Sequence, residues 1–273
     1  MANEMYFSDE ELTAHKMAEV YEKSLTTVRI MSLLDDPSLV PGNYDFEHMV
    51  EVHKYIFQDF PAAWLEQNEQ TKQFFAYLES NILEFEPGLL REEKDPYNPT
   101  VKCRELQADS KTIGSMTHYS CMALPDVEYA EKVLLENHPS QLKNLSKDEV
   151  VDRLATVYQD LDFVHPFEEG NSRTLRTMTQ LMAQEAGHEL SWANIDQNDL
   201  YAARDLSLNQ KTIAYYGEMD EEFDFVDEAR VNLQRLQSYD FPPLSQLLQN
   251  GNQPALSQDV TQRNNLDALG PQI

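Results

Sequence analysis

Glycine is scarce in this chain, with eight in 273 residues. Strict alternation of apolar and polar residues is rare as well, and both absences favour helices over strands. There are two cysteines, Cys103 and Cys121, too few for a disulfide framework and too far apart for a CxxC redox pair. Both read as reduced thiols of a cytosolic protein. No apolar run approaches the roughly 20 residues of a membrane span. Met1 to Glu11 is acidic and lacks the apolar stretch of a signal peptide, so a cytoplasmic location is expected. Basic residues are outnumbered 21 to 48, for a formal charge of -27. That balance repels phosphate backbones and anionic lipid, which argues against direct nucleic-acid or membrane-surface binding. A solvated surface or attraction to a basic partner accounts for it. Three catalytic patterns are missing: the HExxH zinc helix, the GxxxxGK[ST] loop and the GxSxG elbow. His48 and His53 are five apart and read as ordinary helix residues.

The chain is long enough for one large domain or a domain with an extension. Ser8 with Glu11 fits a capping box that opens a helix to about Leu34. Asp35 to Asn43, with Pro37, Pro41 and Gly42, reads as a loop. A helix is expected over about Tyr44 to Gln58, with Phe46, Val50, His53 and Phe57 on one stripe, and another from near Pro61 to about Leu83. Phe85 to Lys111 is polar and broken by Pro87, Pro96 and Pro99, so a long loop is expected. Thr112 to Ala123 suggests a hairpin. Pro125 to His138 is expected as helix, and Ser146 with Glu149 opens another to about Phe163. Asn171 to Ala186 follows, stopped by Gly187, then two or three helices between Asn194 and about Leu236. After Tyr239 the composition turns to Gln, Asn, Ser and Pro, which predicts a flexible tail.

One stretch concentrates chemistry: His165-Pro166-Phe167-Glu168-Glu169-Gly170-Asn171-Ser172-Arg173-Thr174-Leu175-Arg176. A histidine ends one helix and a short loop opens the next. A helix start presents unpaired N–H groups and the positive dipole end, an anion site in waiting. Gly170 permits close approach of the backbone. Arg173 and Arg176 project beside that end, and Leu175, Met178 and Met182 fall on the opposite side. Arginine's planar fork suits phosphate oxygens. Glu169 is placed to hold a divalent metal against a polyphosphate. His165 suits a base that takes a proton from a hydroxyl. Each element alone is commonplace in a packed loop or solvated face; their conjunction in twelve residues is not.

This stretch resembles the signature of the Fic (filamentation induced by cAMP) domain family, HPFx[D/E]GNGRxxR. The match covers His165, Pro166, Phe167, Glu169, Gly170, Asn171, Arg173 and Arg176, with Ser172 where glycine is usual. Asn43 to Trp64, Thr112 to Ala123 and Gly187 to Trp192 resemble further family segments. The resemblance implies a mainly α, Fic-type helical bundle with a small β-hairpin flap. It divides the chain into an N-terminal helical extension (1–43), a Fic domain (44–238) with an insertion near 65–111, and the tail (239–273).

The resemblance also implies transfer of AMP from ATP, with Mg²⁺, to a Tyr, Thr or Ser hydroxyl of a target protein. His165 would be the general base and Glu169 the Mg²⁺ ligand. Gly170, Asn171 and Ser172 would form an anion hole, with Arg173 and Arg176 clamping phosphates and Phe167 anchoring the loop. The flap, Thr117, His118, Tyr119, Ser120, Cys121 and Met122, would hold the target by strand addition; outside that role His118 reads as a surface residue. No full inhibitory-helix pattern [S/T]xxxE[G/N] occurs, and Ser80 to Phe85 only approaches it. Inhibition by a small antitoxin-like partner or constitutive activity follows. The alternatives are a Fic-fold phosphotransferase, an enzyme that removes AMP, and a non-catalytic nucleotide-binding module.

Overall fold

The computed structural model describes residues 23–59, 86–91, 99–120, 124–219 and 223–251. The expected cap at Ser8, the helix from Pro61 to Leu83, the Ser80 segment, Cys121 and Met122 lie outside them. The described residues form a mainly helical fold with one antiparallel hairpin. Helix α1 covers residues 23–35. Helix α2 (Phe46–Phe57) starts where the Asp45 carboxylate accepts the His48 N–H. Strands β1 (Thr100–Ala108) and β2 (Lys111–Tyr119) make the hairpin, and α3 (Leu124–Glu136) and the single turn α4 (Pro139–Leu142) follow. Then come α5 (Lys147–Val164), α6 (Asn171–Glu185), α7 (Gln197–Tyr216), α8 (Asp224–Gln237) and α9 (Leu244–Gly251).

Helix α5 opens with the expected capping box, Ser146 and Glu149 satisfying each other's backbone N–H groups, worth about 1 kcal/mol. It is buried on most of its circumference, through Val150, Leu154, Val157, Tyr158, Leu161 and Val164 among others. Around it pack α3, α6, α7, α9 and β2. Whatever ends this helix is therefore fixed from several sides at once. Among the described residues no helix is long and apolar enough to cross a membrane.

Two expectations need correction. The first strand lies in Thr100–Ala108, inside the stretch read as a loop, and the turn is Asp109-Ser110 rather than a point after Thr112. Both turn residues have positive φ (48° and 62°), the two-residue geometry that matches strand twist. Strand β1 escapes a reading by pattern because only Leu106 and Ala108 are buried; pairing with β2 along its whole length holds it. The second correction concerns the tail. Leu244, Leu247 and Leu248 form a buried helical stripe in α9, so the chain is packed to Gly251 despite its polar composition. The remainder of the tail lies outside the described residues.

Candidate active site

Helix α5 stops at His165, which takes the left-handed conformation (φ 51°, ψ 56°). Pro166 to Glu169 cross to Gly170, also left-handed (φ 81°), which starts α6. An alanine Cβ at Gly170 would lie 2.2 Å from the Phe57 ring, so glycine is required by space as well as by φ. The Asn171 side chain closes the loop on itself. Its Oδ1 accepts the Phe167 N–H (2.9 Å) and its Nδ2 donates to the Phe167 carbonyl (2.6 Å). Its side-chain amide is thereby committed to shaping the loop.

Two residues outside the signature brace the same loop. His53, read as an ordinary helix residue, is fully buried and stacks on Phe167, ring centroids 3.9 Å apart. Its Nδ1 accepts the Gly88 N–H (2.9 Å), so its Nε2 carries the proton given to the Glu169 carbonyl (3.0 Å). Arg91, from the stretch expected to be a loop without a role, lies against the outer side. Its guanidinium donates to the carbonyls of His165 (3.3 Å) and Glu168 (3.0 Å) and to Thr100 Oγ1 (3.3 Å). Its own N–H donates to the Pro166 carbonyl (2.8 Å). Replacing Arg91 by Met keeps the backbone bond to Pro166 but strands the His165 and Glu168 carbonyls and the Thr100 hydroxyl, at a cost of about 2–4 kcal/mol. A lowered Tm is the expected readout, only partly recovered by Lys, whose ammonium lacks the planar fork. An unchanged Tm would show the clamp to be dispensable.

His165 is 1% exposed, and among the described residues neither ring nitrogen has a hydrogen-bond partner. Burial lowers its pKa to about 4, against the pull of the nearby Asp162 carboxylate. Burial lowers that of His53 to about 4 too. Both imidazoles titrate near 6.5 when free and so bind fewer protons in the fold than in the unfolded chain. Their contribution to stability is complete above about pH 6.5 and is lost as the pH falls towards about 4. Thermal unfolding between about pH 7 and about pH 4.5 should show a falling Tm, and His53→Gln should make the fall shallower. An identical slope in that variant would contradict a buried neutral His53.

The loop and the start of α6 form one wall of a cleft of about 610 Å³. Its lining includes His165, the signature residues from Glu169 to Ser172, Arg173 and Arg176, with Thr26 and Ile30 of α1, Lys102 and Arg104 of β1, and Tyr201 and Arg204 of α7. Lys23, Lys102, Arg104, Arg173, Arg176 and Arg204 are cationic, and Glu169 is the one acid among the described lining residues. Arg173 donates to Thr26 Oγ1 (3.0 Å) and lies over the Phe57 ring (4.7 Å). Arg176 gives its Nε–H to the Ser172 carbonyl (3.1 Å). The Ser172 hydroxyl, standing where glycine is usual, lies 3.0 Å from the Tyr158 hydroxyl. Sequence reasoning missed Arg91, His53, Asp162, Lys102, Arg104 and Arg204. Of these only Asp162 carried a signal, standing three residues before His165 on one helix face.

The flap residues are placed differently from expectation. Thr117, Tyr119 and Ser120 are 0% exposed and His118 is 1% exposed, so these side chains do not offer a target a surface. His118 pairs with Glu228 of α8 instead of facing solvent. Nor is the outer edge of β2 open. Asn232 bonds both the N–H and the carbonyl of Met116, and Thr212 donates to the His118 carbonyl. The edge of β1 is covered at Gln107, whose N–H and carbonyl both bond Asn198. Backbone direction alternates along a strand, so Val101, Cys103 and Glu105 point the same way as Gln107. Among the described residues nothing pairs with their outward groups.

The model of the Fic/DOC family matches residues 43–183, which include the α2 brace, the hairpin and the loop from His165 to Arg176. The chain belongs to the Fic/DOC family. A curated relative, protein adenylyltransferase VbhT of Bartonella schoenbuchensis, is 23% identical over 181 residues. That match covers 66% of this chain and 28% of the relative, so the chain spans under a third of the relative's length. Among solved structures, the BepC protein of Bartonella tribocorum, with bound AMPPNP, aligns at 17% identity and a TM-score of 0.47, covering 81% of this chain and 86% of that one. The N-terminal Fic domain of a Bartonella quintana effector aligns at 17% identity and a TM-score of 0.42, covering 86% and 88%. The mainly helical fold with its hairpin is a Fic fold.

Proposed function

We propose that the protein is a protein adenylyltransferase, moving AMP from ATP to a Tyr, Thr or Ser hydroxyl of another protein. The observation that carries this reading is the cleft. In a chain with 21 basic residues and a net charge of -27, six of the 21 gather around His165 and the start of a helix; Arg104 and Arg204 are paired with the buried Asp205 and Asp162 carboxylates, and Lys23, Lys102, Arg173 and Arg176 add to them. Such a concentration against the overall charge suits a polyanion the size of a nucleoside triphosphate. VbhT, the family relative, is named a protein adenylyltransferase, which supports the same reading.

In this reading Arg173, Arg176 and the N–H groups that open α6 bind the phosphates and orient the α-phosphorus for in-line attack. His165, kept neutral by burial, takes the proton of the acceptor hydroxyl as its oxygen bonds to the α-phosphorus. Pyrophosphate departs with the electron pair of the broken bond. The Glu169 carboxylate is 66% exposed, has among the described residues a single 3.5 Å ion-pair contact, with Arg173, and suits an oxygen-coordinated Mg²⁺ shared with phosphate. When bound, that ion would neutralise charge on the phosphates. The target's extended backbone would add to β1 beside Val101, Cys103 and Glu105.

The test is transfer from ATP labelled separately on the α- and γ-phosphates, with Mg²⁺ and a bacterial lysate, beside a His165→Ala control. Protein-bound label from the α-position alone, lost in the control, is the expected result. Label from the γ-position would replace this reading with a phosphotransferase. Absence of both labels, with no calorimetric ATP binding, would leave a non-catalytic module.

A further inference from the structure

We propose that Asp162 is a positioning residue for His165: it takes the Nδ1–H of the imidazole and leaves Nε2 as the atom facing the acceptor hydroxyl, a role that rests on the reading of His165 as the base. Asp162 is 1% exposed and lies one helical turn before His165 at the buried end of α5. Its Oδ1 is 3.8 Å from His165 Nδ1. Both of its oxygens are engaged by Arg204 of α7, Oδ2 by Nε (2.8 Å) and Oδ1 by Nη2 (2.7 Å). This fork fixes the plane of the carboxylate and keeps it ionised. Burial alone would raise the Asp162 pKa; Arg204 outweighs it and holds the group below the ordinary carboxylate range. Each carboxylate oxygen has two lone pairs, so Oδ1 retains one for the imidazole.

The other face of the imidazole is closed by Tyr119 of β2, ring centroids 4.1 Å apart. The Tyr119 hydroxyl accepts from Arg104 (2.6 Å) and Arg204 (3.4 Å), which locks that ring as well. The imidazole thus sits between a fixed carboxylate and a fixed aromatic. A buried ring with both nitrogens unpaired is costly. A rotation that brings Nδ1 onto Oδ1 satisfies one nitrogen, and the substrate hydroxyl satisfies the other. Such tightening from a looser ligand-free geometry is usual for catalytic hydrogen bonds. The charged groups bearing on His165 are Asp162 from α5, Lys102 from β1 and Arg91 from the segment before the hairpin, with Arg204 of α7 acting through Asp162. Among them Asp162 alone favours a proton on the ring.

The test is ¹⁵N NMR of protein labelled at histidine, with His165 assigned by its loss in His165→Ala. The wild type should show Nδ1 protonated and Nε2 unprotonated. Asp162→Asn should lose that preference and lower kcat by about 10²-fold with the KM for ATP unchanged. Because Asp162→Asn leaves Arg204 buried without its counter-charge, a second variant, Asp162→Leu with Arg204→Met, removes the pair together, a change that buried ion pairs tolerate. Loss of the preference in this folded double variant supports the assignment. Retention of the Nδ1–H form there overturns it. Failure of the base reading has a separate sign, full transfer by His165→Ala, and leaves the nitrogen signals free to report on Asp162.

Discussion

Replacing His165 by alanine is expected to slow AMP transfer at least ~10²-fold while leaving ATP affinity nearly intact. The two effects separate because two parts of the cleft do the two jobs. In the proposed reaction phosphate binding would fall to Arg173, Arg176 and the start of α6, which Gly170, Asn171 and Phe57 position rather than the imidazole. In the same reaction proton removal would fall to His165, whose lowered pKa leaves it neutral and able to accept. Its environment is built against charge before reaction and for charge during it, since Asp162 stands ready beside Nδ1. Losing the ring therefore removes an interaction made in the transition state and little of the ground-state binding, which predicts a fall in kcat at constant KM. Single-turnover transfer from α-labelled ATP gives the rate, and calorimetry gives the affinity. Equal rates in variant and wild type would remove His165 from the chemistry.

What the sequence disclosed about this site follows from distance along the chain. His165 to Arg176 act through local geometry: a helix end, a glycine turn and a helix start. Those are legible because the residues that make them are neighbours. Asp162 was within reach of the same logic, one turn upstream. Arg91 and His53 act on the loop from 74 and 116 positions away, and Arg204 on Asp162 from 42, as the separations of their bonds show. Nothing in their local sequence marks them, since an arginine in a polar stretch and a histidine in a helix have many ordinary roles. The hairpin was legible only by half. The β-formers and small residues of β2 suggest strand structure, whereas β1 exposes most of its side chains and looks like a loop until its partner is seen. Composition misled at α9, where three leucines among polar residues bury a face.

Gly170→Ala is expected to abolish transfer and to destabilise the fold by about 2–5 kcal/mol, for one methyl group added. Two costs combine. Alanine in the left-handed region is strained by about 1–2 kcal/mol, and overpacking a filled site costs about 1–3 kcal/mol. The second cost is severe here because the methyl would lie 2.2 Å and 2.4 Å from two atoms of the Phe57 ring and 3.2 Å from His53 Nε2. Phe57 has nowhere to go: it is 1% exposed, with the His53 ring 4.6 Å away and Arg173 over its face. Moving it shifts His53, which holds the Glu169 carbonyl, and Arg173, which lines the cleft. A displacement near ~1 Å at a positioned group is enough to cost about 10²-fold in rate. Gly187→Ala isolates the two costs. Gly187 has nearly the same φ, 85°, but a Cβ there meets nothing within 4 Å. That variant should lose about 1–2 kcal/mol and keep full transfer. Phe57→Leu in the Gly170→Ala background should recover part of the stability by relieving the clash, while the φ strain stays. If Gly170→Ala and Gly187→Ala behave alike in both Tm and transfer, the close approach of Phe57 is not what demands glycine at the start of α6.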